Sequence, residues 1–219
     1  MLNNNKKPKG FVIYQGKSLI DGKSISVVYL PQSLNKKTGN MAQTYIIRSD
    51  IDPRLASKTG EDYSICGSCK HRGSITTEPD RKQAKGRTCY VNLAQGVLIV
   101  YKQLMKGAYP VVNNHKDIQS LGENQVIRLG TYTHQSHNSS CDVRSDISMM
   151  SADSYEESKK FWSKGLRTFR VMQKDEVLDK TKEVLCPASK EAGRRATCTT
   201  CVLCSGSNLN AKSVAIYQH

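Results

Sequence analysis

The sequence predicts an α/β protein, either a partial (β/α) barrel or an open parallel sheet, with a β-rich segment in front of it and cysteine-bound metal loops attached. Three observations point there. A strand–helix–strand pattern runs through residues 147–172. Three β-rich runs fall between residues 11 and 48. Seven of the eight cysteines fall in two groups with metal-ligand spacing.

In chain order, residues 11–14, 25–30 and 44–47 are rich in Val, Ile, Tyr and Thr, as strands are. Asp21-Gly22 and Lys37-Thr38-Gly39-Asn40 supply turns between them. Residues 49–88 read as a polar stretch without regular structure, which needs an organiser such as metal. Leu93, Val97, Val100 and Leu104 recur at helical spacing, predicting a helix over 90–106 that stops at Gly107. Residues 125–129 read as a strand. Residues 147–152 are another, followed by a helix that Asp153 or Ser154 caps, Ser154 with Glu157 fitting a capping box. The helix ends at Gly165, and residues 166–172 form a strand parallel to the first. Residues 213–217 complete the same sheet. The expected division is a β-rich segment at 1–60 and an α/β domain at 61–219.

The balance of 33 Lys+Arg against 19 Asp+Glu leaves a net charge of +14. Such an excess opposes compactness unless a polyanion offsets it, so nucleic acid is the expected partner. Candidate phosphate contacts are Arg81, Lys82, Lys85, Arg87, Arg167, Arg170, Arg194 and Arg195; the alternative for each is a solvated surface charge. Arg167 and Arg170 fall on opposite faces of their strand, so at most one points at a shared site. No apolar run is long enough to span a bilayer, and the first ten residues lack the apolar stretch of a secretory signal. The expectation is therefore a cytoplasmic protein with no membrane partner. A reducing cytosol favours metal over disulfides for the cysteines.

Cys198, Cys201 and Cys204 stand at three-residue steps, with Cys186-Pro187 upstream. Four thiolates so spaced suit a [4Fe-4S] cluster and, by ligand type, Zn²⁺ as well. Cys66, Cys69 and Cys89 form the second group; its fourth ligand would be His71 or a residue of the C-terminal region. Cys141 fits neither group and reads as an ordinary thiol.

Tyr132, His134 and His137 follow a predicted strand, where α/β sheets put their active residues. Asp142 and Asp153 come after. Together these five are the candidates for a hydrolytic centre on DNA, with Mg²⁺ as its metal. Asp153 has a plain alternative as a helix N-cap, and the histidine pair as exposed loop residues.

The motifs QGKSLIDGKSI, SICGSCKHRG, RTCYVNLAQG, TYTHQSH, LRTFRV, LCPASKEAG and CTTCVLCSG together resemble a cysteine-rich family carried by phages and plasmids. The resemblance covers most of the chain and implies a mobile-element protein with paired cysteine clusters in a bacterial host; it carries no settled activity. A segment that similar proteins have between RLG and YTHQ is missing here, which removes a unit of a barrel. By association, a compact basic member suggests a phage-satellite nicking endonuclease acting on phage DNA. The rival expectations are a non-catalytic DNA-binding regulator or replication accessory factor, and an iron–sulfur redox or radical enzyme.

Overall fold

The structure is a computed structural model and describes residues 8–32, 36, 38–89, 91–114, 116–117, 132–133, 148–205 and 208–218. It holds two sheets. The first is antiparallel, in the order β1 (Phe11–Lys17), β2 (Ser24–Leu30), β3 (Gln43–Arg48). The second is parallel, in the order β4 (Tyr132–Thr133), β5 (Met149–Ala152), β6 (Thr168–Met172), β8 (Ser213–Tyr217), β7 (Glu183–Leu185). The second sheet is open, so of the two expected architectures the open sheet is the one found.

The antiparallel sheet buries one face. Val12, Val28 and Ile47 pack with Val100 and Leu104 of α3 (Gly96–Met105) and with Tyr109. This core extends past residue 60, the expected domain boundary. Residue 60 is instead the left-handed glycine that ends α1 (Pro53–Thr59), with φ of 82°. Asp52 caps that helix by accepting from Arg54 N at 2.8 Å, and Pro53 occupies its first turn. A second short helix, α2 (Tyr63–Cys66), and a 3-10 turn at Lys70–Arg72 follow. The stretch expected to lack regular structure therefore holds three helical pieces. The helix expected from residue 90 starts only at Gly96. Asn92 Oδ1 accepts from Ala94 N at 2.7 Å, a local turn that competes with helix.

The parallel unit matches the expected strand–helix–strand. Ser154 caps α4 (Tyr155–Trp162) by accepting from Glu157 N at 3.1 Å, while Glu157 Oε2 accepts from Asp153 N at 2.7 Å. Asp153 is thus not the cap. Alternation then sorts the sheet. Met150 and Ala152 pack under Phe161 of α4, whereas Met149, Phe169, Val171, Val214 and Ile216 face the other way. That second face is covered by Cys186, Ala188, Leu203 and Cys204, which all lie on the β7–β8 connection. The connection out to β6 runs in one direction across the sheet and the one back to β8 runs in the other. The two covers accordingly lie on opposite faces, as the constant hand of such crossovers requires. The strand expected at 125–129 lies outside the described residues.

Candidate metal loops and carboxylate site

Each cysteine group is shaped by local turns and stitched down by one arginine. In the first group, Cys69 N donates to Cys66 O at 3.3 Å, closing the Cys-x-x-Cys turn. The Cys89 segment docks beside it, with Cys89 N and Thr88 N donating to His71 O at 3.1 and 3.2 Å. Arg72 donates to Gly67 O at 2.9 Å, between the two cysteines, to Gly60 O at 2.7 Å and to Asp62 Oδ1. Burial pushes the Cys66 thiol up to about 12, with Asp62, Cys89 and Cys69 adding to it and Arg72 opposing. Burial likewise raises Cys89.

The second group follows the same plan. Cys186 leaves β7 with its N–H bonded to Ala215 O at 2.8 Å. Thr197 and Thr200 form a reciprocal cap that winds α5 (Cys198–Cys201) into a single turn. That turn ends at Val202, with φ of 50°, the one positive-φ residue other than glycine among those described. A β-branched residue there costs on the order of 1–2 kcal/mol, and it sits between Cys201 and Cys204. Arg167 donates to Leu203 O and Lys212 O at 2.6 and 2.7 Å, and to Ser205 O, so it brackets Cys204. Burial pushes the Cys204 thiol up to about 12, and Cys186, Cys198 and Cys201 all reinforce the rise. Cys204 therefore lies within electrostatic reach of the other three thiols.

None of the seven described cysteines is in a disulfide. As the side chains stand, no group of three or more His, Cys, Asp or Glu among the described residues is gathered tightly enough to hold a metal ion. The donor chemistry nevertheless suits one. Both groups present thiols on short turns, and a bound dication would reverse the burial penalty on their thiolates. Cys66, Cys89, Cys186, Cys198, Cys201 and Cys204 all open on one groove of about 2320 Å³ between the two sheets.

His71 is not placed as a fourth ligand to the first group. It is buried, with Nδ1 2.8 Å from Thr88 Oγ1 and Nε2 3.1 Å from Asp153 Oδ1. Lys70 Nζ contacts Asp153 O beside it. Asp153 follows β5 directly, at the carboxyl edge of the parallel sheet, and its side chain is 21% exposed. A carboxylate there, with one oxygen beside a buried imidazole, suits binding a cation or taking a proton from water. Of the other candidates, Tyr132 lies in β4, paired with Met149 at the amino end of β5, the opposite end of that strand from Asp153. His134, His137 and Asp142 lie outside the described residues, as does Cys141.

Two of the expected phosphate contacts are corrected. Arg170 is fully buried, forked onto Glu183 at 2.7 and 2.9 Å, bonded to Glu176 at 3.0 Å and stacked near Tyr155. Arg167 is 6% exposed and spent on the carbonyls of the cysteine loop. Neither has a route to a phosphate at the surface. Both face apart, as their spacing implies, but into packed cover. Lys82, Arg194 and Arg195 are exposed. Arg81 and Lys85 are exposed too, and share Glu78 at 2.7 and 3.4 Å. Arg87 is half-buried and donates to Cys89 O at 3.1 Å.

Among the described residues no helix is long and apolar enough to cross a membrane. No protein-family model, no curated protein and no solved structure matches the chain.

Proposed function

We propose that this chain is a DNA-binding metalloprotein of a phage or other mobile element, acting in the bacterial host cytoplasm, and that it nicks one strand of DNA at a carboxylate centre built on Asp153. The observation that carries this reading is the Asp153–His71 contact, a partly exposed carboxylate 3.1 Å from a buried histidine at the carboxyl edge of a parallel sheet. In this reading His71 holds one carboxylate oxygen through Nε2, Thr88 fixes the ring through Nδ1, and Lys70 brings positive charge to the same edge. Asp153 would hold Mg²⁺ or activate water. Mg²⁺, where bound, would supply the cation that lowers the pKa of water and neutralises charge on the scissile phosphate. The sequence positions His134, His137 and Asp142 remain candidates for the same centre, whereas Tyr132 pairs at the far end of β5. Zn²⁺ or a [4Fe-4S] cluster on the two cysteine groups would order the loops that frame it. The basic surface at Arg81, Lys82, Lys85, Arg87, Arg194 and Arg195 would grip phosphates.

One observation favours the second reading, a non-catalytic DNA-binding regulator or replication accessory factor. Both ring nitrogens of His71 are engaged, as they would be in a purely structural tie. A nicking assay on supercoiled DNA with Mg²⁺, comparing the native chain with D153N, separates the two. Open circles formed by the native chain and absent with D153N support the nickase; salt-sensitive binding without cleavage supports the regulator.

A further inference from the structure

Among the described residues three arginines are buried, and two of them have carboxylate partners. Arg48 is 4% exposed and pairs with Asp50 and Glu61 at 2.8 and 2.7 Å. Arg170 has Glu183 and Glu176. Arg167, only 6% exposed, donates solely to the carbonyls of Leu203, Ser205 and Lys212. Among the described residues its Nε has no hydrogen-bond partner. Carbonyl dipoles satisfy N–H groups but do not cancel a full charge, and an uncompensated buried charge is costly. The Cys204 sulfur, on the loop that Arg167 brackets, would act on the guanidinium as a negative charge when ionised. Neutral thiols there would leave the guanidinium without a counter-charge. Four thiolates around a divalent ion, or around a cluster, carry net negative charge and would supply it.

We infer that Arg167 is the charge-compensating and positioning residue of a net-anionic four-thiolate centre formed by Cys186, Cys198, Cys201 and Cys204. This rests on the reading of those cysteines as metal ligands and goes beyond it. It fixes the sign of the bound centre's charge and gives a role to an arginine that the sequence offers to DNA. The cysteine side chains supply the ligands, while Arg167 holds the Leu203 and Ser205 carbonyls and so sets where Cys204 stands. Removing an outer partner of a metal ligand typically weakens metal affinity by about 10–100-fold.

The test uses the full chain, loaded anaerobically with Zn²⁺ or with iron and sulfide, and follows metal content and transfer to a colorimetric chelator in the native chain, R167K and R167Q. Expected is retention within about threefold of native in R167K, which keeps the charge, and a loss of about 10–100-fold in R167Q. Circular dichroism of each variant checks the fold. Should R167Q not fold, R167K decides: it must keep the metal, and loss of metal from folded R167K overturns the inference. Retention in R167Q equal to native also overturns it. A native chain that binds no metal through any cysteine refutes the metal reading itself, a result distinct from either.

Discussion

His71 Nε2 and Asp153 Oδ1 stand 3.1 Å apart and join the two cysteine-framed halves of the protein. His71 comes two residues after Cys69, on the loop anchored by Arg72, while Asp153 directly follows a strand of the parallel sheet. The second cysteine group reaches back the other way. Thr199, beside Cys198, donates its hydroxyl to Thr38 O in the β2–β3 turn at 2.5 Å. Gly39 lies so close there that a Cβ would meet Thr199 Oγ1 at 2.5 Å, and its φ of 65° suits glycine alone. Each cysteine loop thus grips the sheet that the other loop belongs to.

The His71–Asp153 contact predicts that H71A lowers nicking by more than its effect on stability accounts for. H71Q, whose amide reaches toward the same carboxylate, restores part of the turnover. The check is kcat and KM for both variants beside urea melts. A loss confined to stability in both would assign His71 to scaffolding.

Metal loading should fall by group. C204S and C186S are expected to lose the C-terminal centre and keep the N-terminal one, with C66S doing the reverse, as read by metal per chain. Each loss should also lower the melting temperature, because metal held only by the native state stabilises it by mass action. Loss of both centres from a single substitution, or metal content equal to native in all three variants, would refute the grouping.

The pair formed by Arg170 and Glu183 is fully buried. Breaking it from one side, as in E183Q or R170M, should cost about 3–5 kcal/mol by denaturant unfolding. Loss under about 1 kcal/mol would mean that Glu176 and Tyr155 suffice to hold the arginine.

Acid stability has a defined sign. Asp50 is held below its ordinary 3.8 by its hydrogen bonds and charge pairing with Arg48. Glu61 is held below its ordinary 4.5, chiefly by its bond to Arg48 and then by Lys23. Carboxylates with depressed folded values stabilise the protein above their ordinary values and lose that effect as pH falls through the folded ones. Stability should therefore drop below about pH 4, and in R48M the drop between about pH 5 and pH 3 should be shallower. An unchanged acid limb in R48M would remove Arg48 from this account.

On DNA, deleting one cation that neutralises a phosphate should reduce the salt slope of binding by about 0.9. K82A, R194A and R195A are expected to do so, while R81A should do less because Glu78 already pairs with Arg81. Equal slopes throughout would locate the DNA surface elsewhere.

The parallel core was legible because its signals are local. Ser154, Gly165 and the apolar alternation around residues 149–152 and 168–172 each act within a few residues, whereas the choice between open sheet and partial barrel rests on strand order, which only the folded chain supplies. The helix at Pro53–Thr59 had an equally local signature in Asp52-Pro53 and Gly60, hidden by the polar composition around it. The pairing of His71 with Asp153 had none, since nothing local couples a histidine after a Cys-x-x-Cys turn to a strand far along the chain. Arg167 and Arg170 misled for the same reason. A basic residue on a strand reads as a surface charge until tertiary packing supplies Glu183 or the carbonyls around Cys204.

The most direct test of the account is conversion of supercoiled phage DNA to open circles by the metal-loaded chain with Mg²⁺, run beside D153N of matched metal content and matched DNA affinity. Open circles are expected from the native chain and none above background from D153N. Nicking by D153N at the native rate, or binding by the native chain with no nicking at all, would contradict it.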